Sequence, residues 1–413
     1  MIKGIKSYWN SKSIWRILFE ISTYLFVATL PLWDKLNTLL LWLFVASSIF
    51  LLKPNVRLEN IKQNRTAFFG LFALYFLFIM GWLFSTEAKD ALRDMERTLT
   101  VLLIPLILLS HKREDFNLKK MYVAFGVGLF TAMVICWAVI IESILTNATP
   151  WVQAGYFFKW VYNGWNAVAP LEGHPSYFAV MLVIFIVGLI RMPEFVNLRR
   201  NKFKVTLLLA PFFLFLIETS SRIGVICLVV IAIVTIFKKL EIKRIFYVIG
   251  LLIALAILSV KFDFLGSKMS QIVDSKGNIT LDRYDRWGAI LSDFSERDNW
   301  IFGVGTGDSQ SLYNIAYSKN GFMIALKDHY NAHNQYLEFL VSNGLIGLLV
   351  YLCVLFIFFR KTKLKGEALS FFIIIVLFSG SETIFGLSKG VFIFAFFYPL
   401  FILLYSKRTV NVN

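Results

Sequence analysis

Long apolar stretches separated by short polar segments dominate the pattern of this chain. A helix needs about 20 mostly apolar residues to cross the hydrocarbon core of a bilayer. Twelve stretches approach this length, and they lie at residues 14–33, 36–52, 66–84, 97–110, 121–144, 174–190, 204–220, 223–237, 245–260, 334–359, 368–385 and 391–406. Only residues 219–222 interrupt the seventh and eighth stretches, which predicts a tight helical hairpin. The pattern predicts an all-α, multi-pass membrane protein with about 12 transmembrane helices.

Two segments between the predicted spans are longer than simple connections. Residues 145–173 are rich in aromatic residues and glycine, which is typical of an aromatic belt at the membrane interface or of a wall of a lipid or sugar site. Residues 261–333 are polar, and the apolar spacing within 283–294 predicts a helix. We therefore divide the chain into spans one to nine over 1–260, a loop domain over 261–333 and spans ten to twelve over 334–413.

Composition supports a membrane protein over the soluble classes. Apolar residues make up 58% of the 413 residues and charged residues only 16%, whereas a soluble domain carries about a quarter charged residues. The three cysteines lie within apolar stretches, so we expect neither a disulfide framework nor a zinc cluster.

The formal net charge of +16 follows from where the basic residues lie. With the N-terminus in the cytoplasm, the short cytoplasmic segments contain 27 of the 42 Lys and Arg residues, in agreement with the positive-inside rule. No nucleic-acid partner is then needed to explain the charge. The distribution predicts that both termini are cytoplasmic and that the two long segments lie on the outer side of the membrane.

Arginines on the predicted outer side suit an anionic ligand. Arg222 follows Ser221 at the start of the eighth span, where a guanidinium, a hydroxyl and free N–H groups at a helix N-terminus could bind a diphosphate. A helix-end anchor is the alternative role of Arg222. Arg283 shares a predicted helix face with Trp287, and Arg286 is less firmly directed toward the same site. An amphipathic helix on the membrane surface is the alternative for this stretch.

Histidines and a glycine-rich stretch complete the candidate residues. His333 stands where the polar loop enters the tenth span, and it could act as a base near neutral pH. His329 precedes it by four residues, a spacing that could bind zinc, but the zincin glutamate and a third ligand are missing. His174 lies at the mouth of the sixth span, where a capping or interface role is the simpler interpretation. Residues 303–307 lack the context of a nucleotide loop and predict a tight turn in which the backbone passes close to another segment.

The order of these motifs resembles the O-antigen ligase and O-antigen polymerase superfamily of bacterial envelope enzymes. The matching elements are Ser-Arg-x-Gly at 221–224, Arg-x-x-x-Trp at 283–287, Asp-Asn-x-x-x-Gly-x-Gly at 298–305, His-Asn-x-Tyr-Leu at 333–337 and Gly-Leu-Ile-Gly at 344–347. The resemblance implies a GT-C-like membrane glycosyltransferase of lipopolysaccharide biosynthesis. Its active site would lie on the periplasmic face of the bacterial inner membrane.

This resemblance also implies substrates and residue roles. The enzyme would transfer a glycan from undecaprenyl diphosphate to a sugar of lipid A–core, with membrane lipid around it. His333 would deprotonate the acceptor hydroxyl, and Arg222 and Arg283 would hold the diphosphate, so that no metal or cofactor is needed. Arg286 is a further candidate for diphosphate binding. The candidates for the surroundings of the site are Ser221, Asn334, His329, His174 and Tyr336.

Three other functions stay open at this point. A polymerase of the repeat unit, which extends a growing glycan chain, and a ligase that glycosylates Ser or Thr of a protein belong to the same superfamily. A transporter of lipid-linked glycans is a different class, and it would need an acidic residue within the spans. The few acids near spans lie toward their outer ends rather than their centres, at Glu142, Glu218, Glu338 and Glu382.

Overall fold

The computed structural model describes residues 13–146, 162–191, 202–237 and 282–406. Within these ranges all regular secondary structure is helical. The ninth predicted span at 245–260 lies outside the described residues.

The helices follow the apolar stretches closely. In the described chain up to residue 146 they are α1 (Ile14–Thr29), α2 (Asp34–Leu51), α3 (Pro54–Gln63), α4 (Arg65–Phe84), α5 (Ala88–Thr98), α6 (Thr100–Leu108) and α7 (Leu118–Thr146). The middle of the chain contains α8 (Trp165–Val168), α9 (Pro175–Arg191), α10 (Lys202–Glu218) and α11 (Arg222–Phe237). The last part contains α12 (Asp282–Ser295), α13 (Ser309–Lys319), α14 (Met323–Lys327), α15 (Gln335–Thr362), α16 (Glu367–Ser379) and α17 (Ser388–Tyr405).

A helix occupies each predicted span that falls within the described residues. Five helices, α2, α4, α7, α15 and α17, have at least 18 residues and are apolar enough to cross a membrane. A sixth span results if residues 165–171 and α9, which meet at a bend of 83°, are counted as one. The chain is therefore a helical membrane protein, and the total of twelve spans stays a prediction.

The centre of the helix bundle is rich in aromatic side chains. In α17 nearly every residue is buried, and its share of buried residues, 83%, is well above the 44% of α7 and α15. A helix that is apolar on every face belongs in the interior rather than at the lipid surface. Rings of α17 pack against neighbouring segments, with centroid distances of 5.1 Å between Phe385 and Phe394 and 5.0 Å between Phe358 and Tyr398. The middle of α17 is thereby packed against α15 and the turn before α17.

The predicted break between the seventh and eighth apolar stretches and the predicted loop helix are both confirmed, whereas the packing of the two stretches as a hairpin stays a prediction. Helix α10 ends at Glu218 and α11 begins at Arg222, after a turn in which Ser220 has a φ of +49°. Ser221 caps α11, since its Oγ accepts a hydrogen bond from the backbone N–H of Gly224 at 3.3 Å. Helix α12 covers the stretch for which the apolar spacing predicted a helix.

Residues 282–333 pack onto the start of α15. Buried side chains of α12 and α13, among them Phe294 and Tyr313, form one apolar cluster with Leu337 and Val341 of α15. Trp287 Nε1 donates a hydrogen bond to the carbonyl oxygen of Ala332 at 2.7 Å. These contacts hold α12 beside the segment that leads into α15.

Helix α15 is broken at Gly344, where its backbone hydrogen-bonds to the polar segment before it. Gly344 has a φ of +66°, and the backbone N–H of Leu345 bonds to the carbonyl of Trp300 at 2.8 Å rather than within the helix. A Cβ on Gly303 would lie 2.5 Å from the backbone nitrogen of Gly344. The close backbone approach predicted for residues 303–307 is therefore confirmed, and only glycine fits there.

Candidate functional site

The site is centred on a hydrogen bond between His333 and Glu382. His333 lies just before α15 with a φ of +45°, and its backbone N–H bonds to Oδ1 of Asn331 at 2.9 Å. Its ring Nδ1 lies 2.9 Å from Oε2 of Glu382. The His333 side chain is 20% exposed and Glu382 only 4%. Within the described residues Nε2 of His333 has no hydrogen-bond partner, so this nitrogen remains available to a substrate.

Glu382 connects three parts of the chain. It lies in the turn between α16 and α17, and its Oε1 accepts a hydrogen bond from Oγ of Ser176 at 3.0 Å. Nη2 of Arg283 lies 3.5 Å from the same oxygen. Burial opposes ionisation of this carboxyl group, but the hydrogen bond and charge of His333 and the charge of Arg283 outweigh it, so the pKa of Glu382 is lowered. Glu382 is therefore a carboxylate at neutral pH.

Because Glu382 is ionised, it defines the proton positions on the histidine. A carboxylate only accepts hydrogen bonds, so Nδ1 of His333 must carry the proton that lies between the two side chains. A neutral His333 then has its lone pair on Nε2. This arrangement matches the base and orienting carboxylate that activate hydroxyl groups in many enzymes.

One of the three predicted arginines contacts this pair, and a second interacts with the first. Arg283 donates a hydrogen bond from Nη1 to the carbonyl of Ser381 at 2.7 Å, and its side chain is 43% exposed. Arg222 is the first residue of α11 and is exposed, and its charge interacts with that of Arg283. Arg283 therefore lies at the carboxylate of the pair, and Arg222 is within electrostatic range of Arg283.

Arg286 has a different environment from the other two arginines. It is only 6% exposed, and its guanidinium carbon lies 5.2 Å from the centre of the Tyr330 ring. The Tyr330 ring in turn meets His333 edge-on at 5.5 Å. Arg286 thus contacts the ring beside the histidine, and this stacking favours a positioning role over direct binding of a diphosphate.

Two of the predicted surrounding residues act on α15 itself. Oδ1 of Asn334 accepts hydrogen bonds from the backbone N–H groups of Tyr336 and Leu337, at 3.0 Å and 3.2 Å, and so caps the helix that follows His333. The Tyr336 hydroxyl donates to the carbonyl of Val376 at 3.0 Å and joins α15 to α16. Both residues hold the helix ends on which the site is built.

His174 lies beside the site and has a capping role, as the simpler interpretation predicted. Its Nδ1 accepts a hydrogen bond from the backbone N–H of Ser176 at 3.2 Å, and its ring packs against Trp165 at 4.3 Å. Burial lowers the pKa of His174 to about 4, although the Glu382 carboxylate opposes this shift. His174 is therefore neutral at physiological pH and orients Ser176 toward Glu382.

His329 and His333 do not share a ligand environment. His333 bonds to Glu382 through Nδ1, whereas His329 is exposed and lines a separate cavity. In the part of the chain that the structure describes, no three His, Cys, Asp or Glu side chains are arranged to hold a metal ion.

Glu382 was missing from the predicted site residues. The signal that could have found it is an acidic side chain in the sequence Ser-Gly-Ser-Glu-Thr at 379–383, at the end of an apolar stretch. An ionisable residue so close to the hydrocarbon is by default a candidate for function. Ser176 was also missing, because a serine at the start of a helix has no distinguishing sequence signal.

Comparison with known protein families gives a match over part of the chain. Residues 205–352 match the family described as O-antigen ligase. The match runs from α10 into α15 and includes Arg222, Arg283, Arg286 and His333, whereas Glu382 lies beyond it. A search of curated protein sequences finds no match for the chain.

Proposed function

We propose that this chain is an inner-membrane glycosyltransferase of the O-antigen ligase type, a proposal that the match of residues 205–352 to the O-antigen ligase family supports. It takes a glycan linked to undecaprenyl diphosphate on the periplasmic face and transfers it to a sugar hydroxyl of lipid A–core. The observation that carries this proposal is the His333–Glu382 pair, in which Nε2 has no partner among the described residues and Arg283 lies at the carboxylate.

His333 is the general base of the proposed reaction. Nε2 accepts the proton of the acceptor hydroxyl as its oxygen attacks the anomeric carbon of the donor glycan. The imidazolium that forms is stabilised by the Glu382 carboxylate, 2.9 Å from Nδ1. Glu382 also prevents the ring from turning, because its second oxygen is held by Ser176 and Arg283.

Arg222 and Arg283 stabilise the leaving group. As the bond between the anomeric carbon and the diphosphate oxygen breaks, negative charge grows on the diphosphate. Guanidinium groups bind phosphate oxygens through paired N–H donors and neutralise this charge. The free backbone N–H groups and the positive end of the helix dipole at the start of α11 also favour an anion such as the diphosphate. Attack from the side opposite the leaving group would invert the anomeric configuration.

A glycan polymerase is the second candidate, since the same base and arginines would serve a growing glycan as acceptor. The matched family does not separate the two reactions. The transporter alternative has less support, because the site combines a base with an orienting carboxylate, and transport needs neither.

Purified protein in lipid nanodiscs, supplied with undecaprenyl-diphosphate glycan, distinguishes these candidates. With lipid A–core present, a ligase gives one-step capping of the core, and without it no product. A ladder of glycans without lipid A–core identifies a polymerase. Movement of the donor across the bilayer in liposomes, with no covalent product in either assay, would contradict both enzymatic functions.

A further inference from the structure

A second polar cavity lies next to the His333–Glu382 pair and has no part in the proposed donor site. Its volume is about 280 Å³, and its walls come from α5, residues 306–310, 329–331, the start of α15 and residues 383–386. Neither His333 nor any of the three predicted diphosphate arginines lines it. The cavity is therefore distinct from the cationic group that would bind the diphosphate.

The cavity shares its wall with the catalytic pair. Asn331 lines the cavity, and its Oδ1 accepts the backbone N–H of His333. Thr383, the residue after Glu382, lines it from another side. Arg97 donates a hydrogen bond to the carbonyl of Gly386 at 2.8 Å, which joins α5 to the turn that carries Glu382. A ligand in the cavity would thus contact residues that stand two positions before the base and one position after its carboxylate.

The charges in the cavity are balanced, unlike those of the arginine site. Arg93 and Asp90 form an ion pair at 3.2 Å, and Arg97 and Asp94 form another at 3.0 Å. Glu338 adds a further carboxylate, whose Oε1 accepts a hydrogen bond from Ser309 at 3.3 Å. Because the two ion pairs cancel, the cavity lacks the net positive charge that would attract a diphosphate. Alternating donors and acceptors suit the hydroxyl groups of a neutral sugar instead.

The remaining walls also suit a sugar. Oγ1 of Thr306 is buried and makes no hydrogen bond within the described residues, and Gln310 supplies an amide close by. The rings of Phe78, Phe339 and Phe385 close the apolar side. Ligand pockets combine apolar walls with a few polar groups that orient the ligand, typically in about 300–1,000 Å³. The volume here, about 280 Å³, is just below that range and matches a terminal sugar rather than a long glycan.

We propose that this cavity binds the acceptor saccharide, with its terminal sugar inside and the attacking hydroxyl directed past Asn331 toward His333. This inference rests on the proposed function and specifies where the second substrate of that reaction lies. The donor diphosphate and the acceptor sugar would then occupy two neighbouring sites of different charge, with His333 between them.

Substitutions in the cavity test this assignment by separating the two substrates. Glu338→Gln keeps the size of the side chain and replaces one carboxyl oxygen with an amide nitrogen, and Arg93→Gln removes a guanidinium group at the exposed rim. Steady-state transfer in nanodiscs should give an acceptor KM at least tenfold higher for each variant, with the donor KM within about twofold of wild type. Lys89→Gln and Glu96→Gln are the matched controls, because both residues are exposed on α5 and do not line the cavity.

A binding titration without turnover keeps the two proposals distinguishable. A fluorescent, deacylated lipid A–core oligosaccharide should bind the intact protein, and Glu338→Gln should weaken this binding about tenfold while Glu96→Gln does not. If wild type transfers glycan but the cavity variants keep the wild-type acceptor KM, the cavity assignment is overturned and the proposed function stands. If wild type transfers nothing, the proposed function fails, and equal binding by wild type and Glu338→Gln would overturn the cavity assignment as well.

Discussion

Two clusters in this protein contain the same three kinds of side chain, a histidine, a carboxylate and an arginine. In the first, His333 bonds to Glu382, which also meets Arg283. In the second, Nδ1 of His111 lies 3.3 Å from Asp115, which Arg16 contacts at 2.5 Å. Residue types alone would give both clusters the same chemistry.

The environment of the histidine separates them. The second ring nitrogen of His111 is engaged by Oγ of Ser48 at 3.0 Å, and the ring is stacked on Phe19 at a centroid distance of 4.2 Å. Its side chain is fully buried, and burial lowers the pKa of His111 despite the neighbouring Asp115 carboxylate. His333 keeps Nε2 unengaged by the described residues and its side chain partly exposed.

This difference indicates when a histidine paired with a carboxylate and an arginine can act as a base. One ring nitrogen of the histidine must be left without a protein partner, so that a substrate can reach it. Around His111 every polar group is used to join α1, α2 and the segment after α6, so that cluster stabilises the fold. Around His333 the polar contacts hold the ring from one side only.

The largest expected effect comes from the two histidines. His333→Ala should lower kcat by about 10²–10⁴-fold, the usual contribution of a general base, with an unchanged thermal midpoint in detergent. His111→Ala should keep wild-type transfer but lose about 2 kcal/mol of stability through lost stacking and hydrogen bonds. Transfer assays and thermal unfolding of both variants measure this contrast. Wild-type activity in His333→Ala would remove the distinction between the clusters.

The arginines should give the next largest effect. Arg283→Gln removes a charge that would face the leaving diphosphate, and kcat/KM for the donor should fall on the order of 10²-fold. Arg222→Gln should change the donor kinetics in the same direction. Arg16→Gln, the matched substitution in the other cluster, should cost about 1–2 kcal/mol of stability and leave donor kinetics unchanged. Equal donor kinetics for Arg283→Gln and wild type would refute a diphosphate-binding role.

The carboxylates should give the smallest effect on turnover. Glu382→Gln should lower kcat about tenfold, because the neutral amide cannot stabilise the imidazolium that His333 becomes when it takes the acceptor proton. Asp115→Asn should leave kcat unchanged. Steady-state transfer assays of the two variants and wild type provide the measurement, and equal kcat for Glu382→Gln and wild type would contradict the role of this carboxylate.

Both carboxylates should also stabilise the fold in a pH-dependent way. Burial raises the pKa of Asp115, but hydrogen bonds from His111 and Arg16 outweigh it and hold this pKa well below its usual range, and the pKa of Glu382 is lowered as well. Each group therefore contributes stability that is complete above the unfolded-state pKa of about 4 and is lost as the pH falls through the folded-state value. The deficit in thermal midpoint of each variant should be full at pH 7 and should shrink below about pH 4. A deficit that stays constant down to acid pH would show that neither carboxylate acts through its charge.

Much of the site could be predicted from short sequence motifs, but the pairing of Glu382 with His333 could not. Arg222, Arg283 and His333 each stand in a short motif at a helix boundary, and the structure brings them to one end of the bundle. Glu382 follows His333 by 49 residues, with α15 and α16 between them. These two helices return the chain to the same end, but the break at Gly344 sets how far α15 reaches. No local pattern specifies that distance.

The sequence by itself determined the helices, the turn before Arg222 and the match of residues 205–352 to the O-antigen ligase family. These depend on apolar run length, caps and short motifs, which are properties of neighbouring residues. Only the tertiary structure decided that His333 rather than His111 has an unengaged nitrogen, and that a balanced polar cavity lies behind it. Burial and hydrogen-bond partners are set by segments far apart in the chain, so the reactive state of a side chain emerges only when those segments pack.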